Sequence, residues 1–514
     1  MFALAARPAL AQQPPAPGPP RAQDEMETLL RDYKVVTEEG HKLVELSLAQ
    51  ALALSLGRSI SLQATRIGET LSESQITAAR ERNNPELAQS LDYGRSSTVF
   101  PSFGAGSRTD AATYQATLSK KLSSGMEVAA IFREQHQDVT GFEVDSGGSP
   151  TNFGSSTPFE TSALTGQITI PFFQDYGDVN DVPIRLAEVG LETSRNNTRL
   201  GQLDLLRLVA TTYWDLVGIR ERIRVQGEAV KLSEQLLQDN RIRLEAGVLS
   251  PADVKVSEAQ LAKDRQSLLT SRVDERRIED QVRAALNLES LEYGLKPVET
   301  PTLRKGKFEL DPLLLKAFAN DPTLANLQSD LERNRYQTQE SENKDKTNLD
   351  LALKYTLNGY GKNPGDTPAN FTDADLHGYG ATLTWTVPLF DTKTREELAQ
   401  RRLERAQIEL RLASARSDLT VRTQTARRQL QLAEEEVNTA RVTVSLQNEL
   451  LQNEIERFKL GESTSFQVAQ VQQDFLLARQ EEILSRIRYE KTFLELLLIT
   501  GDIYSQYGLP PQQP

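Results

Sequence analysis

The chain has 514 residues, 38% of them hydrophobic, no cysteine and a formal net charge of −13. That charge disfavours nucleic acid as a partner, and the lack of cysteine excludes disulfides, thiolate metal sites, a cysteine nucleophile and lipoprotein acylation. Mean hydropathy is negative and no central apolar run reaches the roughly 20 residues of a transmembrane helix, but a β-barrel, whose strands alternate, stays open.

At the start, Ala9-Leu10-Ala11 before Gln12-Gln-Pro-Pro is patterned like a signal-peptidase site, followed by a Pro-rich spacer through Pro20. The apolar stretch before it is short and lacks a positive n-region, so it reads either as the tail of a signal peptide that starts upstream or as a disordered leader. Beyond it the chain repeats itself. Leu46-Ser-Leu-Ala-Gln-Ala51-Leu precedes Ser59-Ile-Ser-Leu62, much as Leu310-Asp-Pro-Leu-Leu-Leu-Lys-Ala317 precedes Asp321-Pro-Thr-Leu324. Ile170-Pro171-Phe-Phe173 is echoed by Val387-Pro388-Leu-Phe390, and Arg243-Leu-Glu-Ala-Gly247-Val-Leu-Ser250 by Arg457-Phe-Lys-Leu-Gly461-Glu-Ser-Thr464, the last pair offset by 214 residues. Each copy reads helix, strands, very long helix, Gly turn, helix.

Strands are predicted where the period is two. Leu87, Leu91 and Tyr93 open the first; Leu164, Gly166, Ile168 and Ile170 alternate with Thr165, Gln167 and Thr169. In the second copy Leu349, Leu351, Leu353 and Tyr355 alternate with polar residues, and Ala381, Leu383, Trp385 and Val387 alternate with Thr382, Thr384 and Thr386. One face is therefore apolar and the other wet. Gly141 to Thr157 and Gly359 to Thr372 read as solvated loops. The stretch Leu62–Pro171 exceeds its counterpart Leu324–Pro388 by roughly 45 residues, and the excess holds a hairpin signal: Tyr114, Ala116 and Leu118, then Met126, Val128, Ala130 and Phe132, around Ser123-Ser124-Gly125.

From Pro171 to Gly247 and from Pro388 to Gly461 the helical pattern is nearly unbroken, which corresponds to helices on the order of 100 Å long. Val209, Leu216, Ile223, Val230, Leu237 and Leu244 recur at seven-residue steps, as do Val437, Val444, Leu451 and Phe458. Past the glycines, Val254, Leu261, Leu268 and Val282 in the first copy and Val468, Phe475, Tyr489 and Leu496 in the second continue the seven-residue steps. Such repeats impose left-handed supercoiling. Gly247 and Gly461 supply the left-handed position that ends each long helix. Ser250 with Asp253, and Thr464 with Gln467, read as capping boxes that restart the next one, helped by Pro251 in its first turn.

One chain supplies four to six strands, whereas even small transmembrane barrels close with about eight. An open edge facing lipid leaves backbone groups unpaired at several kcal/mol each, so strands that face a membrane need several chains to share one barrel. Antiparallel helix pairs side by side would extend it as a cylinder.

From Leu46 to Ile503 the layout resembles the TolC family of outer-membrane efflux channels. The resemblance rests on the opening Leu46-to-Leu56 segment, the strand exits at Pro171 and Pro388, and the twin Arg-x-x-x-Gly-x-x-Ser/Thr turns. It implies an α+β membrane protein with two structural repeats per protomer: a homotrimer whose shared outer-membrane β-barrel, usually of twelve strands, is continued by a long α-helical coiled-coil periplasmic tunnel. It also implies an exit duct for a tripartite efflux or type I secretion system, passive, with no enzymatic activity and no cofactor. The inner-membrane transporter would act through a periplasmic adaptor protein. The extra hairpin departs from the common pattern and makes either an enlarged barrel or an exposed ribbon. The divisions implied are a leader and spacer over 1–22, an equatorial segment and first tunnel helix over 23–84, strands over 85–171, the helix–tip–helix of repeat one over 172–288, and an equatorial linker over 289–311. Repeat two follows with a short helix over 312–345, strands over 346–388, a helix–tip–helix over 389–500, and a tail over 501–514.

On the same resemblance, Gly247, Val248, Leu249 and Ser250 with Gly461, Glu462, Ser463 and Thr464 form the lip on which the adaptor docks. Where many family members carry two aspartates that ring the tunnel, this chain has Gln467 and Gln470, with Asp474 one turn on. Three converging carboxylates would repel and raise one another's pKa; glutamines would not. These positions form either a constriction closed by neutral amides or a solvated helix face. Trp385 and Tyr355 belong to an interfacial aromatic girdle or pack inward. Glu434-Glu-Glu436 reads as a solvated face. The scattered His41, His136 and His377 argue against a His-based metal site. A non-membrane periplasmic coiled-coil scaffold would explain the heptads but not the Thr-alternating strands or the leader. No catalytic grouping or phosphate loop supports a secreted enzyme.

Overall fold

The computed structural model describes residues 34–38, 41–100, 105–144, 150–152, 157–288, 293–304, 306, 308–362, 367, 371, 376–387, 389 and 392–510. The leader with its expected cleavage site, and Pro388 and Phe390 of the second strand exit, lie outside these residues. In chain order the elements begin with β1 (Val35–Glu38), β2 (His41–Leu46), α1 (Leu48–Arg58) and α2 (Ile60–Glu81). The strands β3 (Glu86–Phe100), β4 (Ala105–Lys121), β5 (Glu127–Val144), β6 (Pro150–Asn152) and β7 (Thr157–Pro171) follow, then the long α3 (Val182–Glu245) and α4 (Pro251–Ala285). The second copy comprises β8 (Gly294–Pro297), α5 (Leu310–Asn320), α6 (Pro322–Lys344), β9 (Asn348–Gly361), β10 (His377–Thr386), α7 (Thr392–Lys459), α8 (Ser465–Thr500) and the short α9 (Ile503–Gln506). The repeat is visible in the lengths: α1 and α5 have 11 residues each, α2 and α6 have 22 and 23, α3 and α7 have 64 and 68, and α4 and α8 have 35 and 36. The long α3 starts only at Val182, because a 3-10 turn at Asp178–Asp181 intervenes after Pro171.

The chain divides into two units, each drawn from both copies. The first unit takes residues 1–65, 198–322 and 416–514. Its core is the heptad seam: Val209, Leu216, Val437, Leu451, Val468 and Leu496 are all nearly inaccessible. A small sheet of order β1-β2-β8 is held to the helices by two carboxylates: Glu279 of α4, which accepts from the Leu295 N–H of β8, and Glu299. Glu299 accepts from the Leu48 N–H at 2.6 Å, at the start of α1, and from the Tyr213 hydroxyl, which also bonds the Leu46 carbonyl at 3.0 Å. Burial and the anionic neighbour push the Tyr213 phenol far above its ordinary range, so it stays a donor at any physiological pH.

The second unit takes residues 66–197 and 323–415 and contains the large sheet. Its strands run in the order β10-β9-β7-β5-β4-β3, all antiparallel neighbours, with the short β6 beside β5. The extra hairpin of the first copy is β4–β5, turned by Gly125 at φ +89°. Where loops are expected to start, at Gly141 and Gly359, the strands continue. Gly141 to Val144 extend β5, where the Phe142 ring lies over Gly106 of β4, and Gly359 to Gly361 extend β9. Glycine here makes room for a neighbouring ring or backbone rather than a turn.

Candidate functional site

The sheet has two chemically opposite faces, and the pairing register shows that each is continuous across all six long strands. Directly opposed residues of an antiparallel pair share a face. Leu87 and Leu91 oppose Leu118 and Tyr114; Leu118 and Ala116 oppose Ala130 and Phe132; Phe132 and Val128 oppose Leu164 and Ile168; these oppose Leu357 and Leu353; and Leu353 and Leu351 oppose Ala381 and Leu383. Trp385 and Tyr355 stand on this apolar face, where Trp385 is 71% exposed and Tyr379, opposite Tyr355, is 92% exposed. Neither aromatic is packed inward within the chain. The opposite face carries Thr117, Thr165, Thr356, Thr382 and Thr384, and the Thr165 and Thr356 hydroxyls bond across the strands at 3.0 Å. The apolar band ends where the same face carries the opposed pairs Arg95–Asp110 and His136–Glu160. Nonpolar side chains this exposed in a band across six strands need an apolar medium, and a dry outside with a polar inside is the pattern of a transmembrane barrel. Among the described residues no helix is long and apolar enough to cross a membrane.

The hairpin tips are built twice by the same backbone device. Gly247 (φ +74°) ends α3: its N–H donates to the Leu244 carbonyl and the Val248 N–H to the Arg243 carbonyl, both at 2.9 Å. Gly461 (φ +81°) ends α7 in the same way, donating to Phe458 at 3.1 Å while the Glu462 N–H donates to Arg457 at 2.9 Å. This is the Schellman arrangement, which satisfies carbonyls that the helix end would otherwise leave open. Ser250 and Asp253 form a complete capping box with Pro251 in the first turn of α4. The second box is half made: Thr464 accepts from the Gln467 N–H at 3.3 Å, while the Gln467 side chain turns to Ser463 at 3.5 Å. Ser463 sits between this amide and Glu454, to which its hydroxyl also donates.

Of the eight expected lip residues, Gly247, Val248, Ser250, Gly461, Glu462 and Thr464 are exposed. Leu249 packs on the cluster of Leu237, Val254 and Leu261, and Ser463 is half-buried. The heptad reading passed over two further exposed apolar residues beside the tips, Leu460 and Phe466; their signal was adjacency to Gly461. Gln467, Gln470 and Asp474 share one exposed face of α8, where the Gln470 amide donates to Asp474 at 3.4 Å.

Behind the tips lies a buried polar ladder that apolar periodicity could not reveal. Asn240, fully buried, donates to the Ser257 hydroxyl at 2.5 Å and the Ser465 hydroxyl at 3.1 Å. One heptad earlier, Ser233 donates to the Asp264 carboxylate at 2.5 Å and accepts from the Gln472 amide at 3.0 Å. The ladder joins α3, α4 and α8. Its sequence signal was polar residues in heptad steps: Ser233 and Asn240, Ser257 and Asp264, Ser465 and Gln472.

A two-faced antiparallel sheet joined to two very long helical hairpins defines the class of outer-membrane channels. The family described as "Outer membrane efflux protein" matches residues 140–288 and 313–502. The chain belongs to that family, whose members are transport channels rather than enzymes; it is an outer-membrane efflux channel with a periplasmic helical domain. Several solved structures share the fold. Among them are the CmeC outer membrane channel of Campylobacter jejuni (TM-score 0.61, 12% identity, covering 88% of this chain and 85% of that one), VceC of Vibrio cholerae (0.62, 12%, 88% and 96%) and the open state of the MtrE outer membrane channel of Neisseria gonorrhoeae (0.56, 15%, 88% and 88%). No curated protein matches the chain in sequence.

Proposed function

We propose that three copies of the chain close one barrel and form the passive exit duct of a tripartite efflux or type I secretion system. An inner-membrane transporter supplies the energy, and a periplasmic adaptor docks on the tips around Gly247 and Gly461. The observation that carries this reading is the large sheet: its apolar face is exposed, and both of its edges are open among the described residues. Lipid covers such a face, and neighbouring chains complete such edges. The long α7 supports association too, since Leu432, Leu446 and Leu450 remain more than half exposed on it, at the spacing of an unfilled coiled-coil seam. A non-membrane scaffold leaves the apolar sheet face without a partner.

Docking at the tips rests on exposed Val248, Leu460 and Phe466 around backbone turns that hold them outward. A photo-crosslinking residue at the exposed Glu462 should capture a periplasmic adaptor in intact cells, and adding Val248→Asp to that chain should abolish both capture and export while the protein still assembles. Capture that persists in Val248→Asp, or export unaffected by it, contradicts docking at this lip.

A further inference from the structure

The two open edges of the sheet fit each other. Among the described residues β3 bonds only β4 and β10 bonds only β9. No proline lies within Glu86–Phe100 or His377–Thr386, and β10 carries no lysine, arginine, aspartate or glutamate; the charges of β3 are Glu86, Asp92 and Arg95, with Arg95 paired to Asp110 on the neighbouring β4. Because the strands alternate in direction across the sheet, β3 of one copy meets β10 of a second copy antiparallel. The apolar residues Leu87, Leu91 and Tyr93 then continue the face that carries Leu383 and Trp385.

Resting on the trimeric reading above, we infer that the seam between copies is β3 against β10, so that the hairpin strands are part of the barrel wall and three copies of six strands make an eighteen-stranded barrel. The alternative, a twelve-stranded wall with β3 and β4 left outside as a ribbon, needs a free β5 edge. β4 occupies that edge without interruption from Ala105 opposite Glu143 to Lys121 opposite Glu127. The family match begins only at residue 140, beyond β3 and β4.

The register of the sheet also sets the seam. A line of directly opposed residues crosses from Glu86 through Ser119, Ala129, Gln167 and Lys354 to Gly380. Glu86 is the first residue of β3, whereas β10 runs six residues further, to Thr386. A level rim therefore places Glu86 of one copy opposite Thr386 of the next, and Ser90 opposite Thr382. A stagger of six is even, as continuity of the two faces demands. Six residues at about 3.3 Å over six strands spaced by about 4.8 Å give a tilt of about 35°, within the range of membrane barrels. The backbone diameter becomes about 34 Å, against about 22 Å for twelve strands at the same tilt.

The chain has no native cysteine, so introduced pairs report cleanly. In one chain Ser90 and Thr382 are five strand spacings apart, about 24 Å, far beyond the roughly 7 Å Cα limit of a disulfide; any link between them joins two copies. Oxidised outer membranes carrying Ser90→Cys with Thr382→Cys should give a boiling-resistant, reductant-sensitive ladder up to trimer, and Ile131→Cys with Thr382→Cys, which tests a β5–β10 seam, should give none. The reverse pattern overturns the proposal. So does the absence of any ladder in a preparation that still migrates as a heat-labile trimer; both outcomes leave the trimer standing. Wild-type protein that never migrates as a trimer instead overturns the reading beneath.

Discussion

The Arg243 guanidinium lies over the Phe458 ring, 4.5 Å from its centre, and its Nη1 donates to the Phe458 carbonyl at 2.9 Å. One side chain thus ties the last turn of α3 to the last turn of α7 and holds the two tips side by side. Its repeat counterpart Arg457 has no such role and pairs with Glu454 at 3.2 Å within its own helix. The duplication has kept the residue and divided its work. Arg243→Ala loses a cation–π contact and a charge-assisted hydrogen bond to a buried partner, together about 1–3 kcal/mol. Arg457→Ala, which removes a half-exposed side chain from a pair within one helix, should cost less, about 1 kcal/mol. Thermal melts of the two variants should separate accordingly; equal melts would remove the asymmetry.

The ladder behind the tips should be sensitive to half-removal. Asn240→Leu leaves the Ser257 and Ser465 hydroxyls buried without their shared donor, a cost of about 1–3 kcal/mol. Replacing all three residues by apolar ones of similar volume removes the unpaired groups and should recover most of that loss. Denaturant midpoints for the single and triple variants check this; a triple variant worse than the single would show that the polar layer itself holds the helices in register.

Most of the helical architecture was legible because burial follows a period. Val209, Leu216 and Leu237, and Val437, Leu451 and Phe458, were picked by seven-residue spacing, and all are in the core. The faces of the sheet were legible from period two, Trp385 and Ile168 included. What escaped had a different cause. Gly141 and Gly359 read as loop starts because the stretches they open are rich in Gly, Ser, Asn and Asp, yet both sit inside strands, opposite Ser107 and Ser162. Asn240 and Ser233 escaped because a search for apolar residues at heptad spacing skips the polar ones that share it. The β4–β5 hairpin itself was legible from its alternation and its Gly125 turn, but residue chemistry alone could not show that β3 and β7 flank it in one sheet, since strand order is a non-local property.

Glu490 gives a pH prediction with a definite sign. Burial raises its carboxyl above the ordinary value, opposed by the Thr302 N–H it accepts at 3.0 Å. The folded chain therefore holds a proton that the unfolded chain has released, and stability falls as pH rises from the ordinary glutamate range through the raised folded value. Glu490→Gln should raise the melting temperature at pH 7–8 and flatten this part of the profile. A variant with an unchanged slope between pH 4.5 and 7 would assign the dependence elsewhere.

Gln467 and Gln470 lie on an exposed face of α8 with Asp474 one turn on. If that face lines the duct, the opening is ringed by amides rather than carboxylates. Divalent cations should then block wild type weakly, and Gln467→Asp with Gln470→Asp should create strong block, tenfold or more in the blocking concentration, because three copies concentrate six new carboxylates. Equal block in both proteins would place the face on the solvent side.

The central claim is that an open, two-faced sheet is completed by sister chains around a water-filled hole. Detergent-extracted protein added to a planar bilayer tests it most directly. The account predicts discrete conductance steps from a heat-labile trimer, lost when the sample is boiled to monomer before addition. A trimer that never conducts, or a monomer that stays dispersed without detergent, would contradict it.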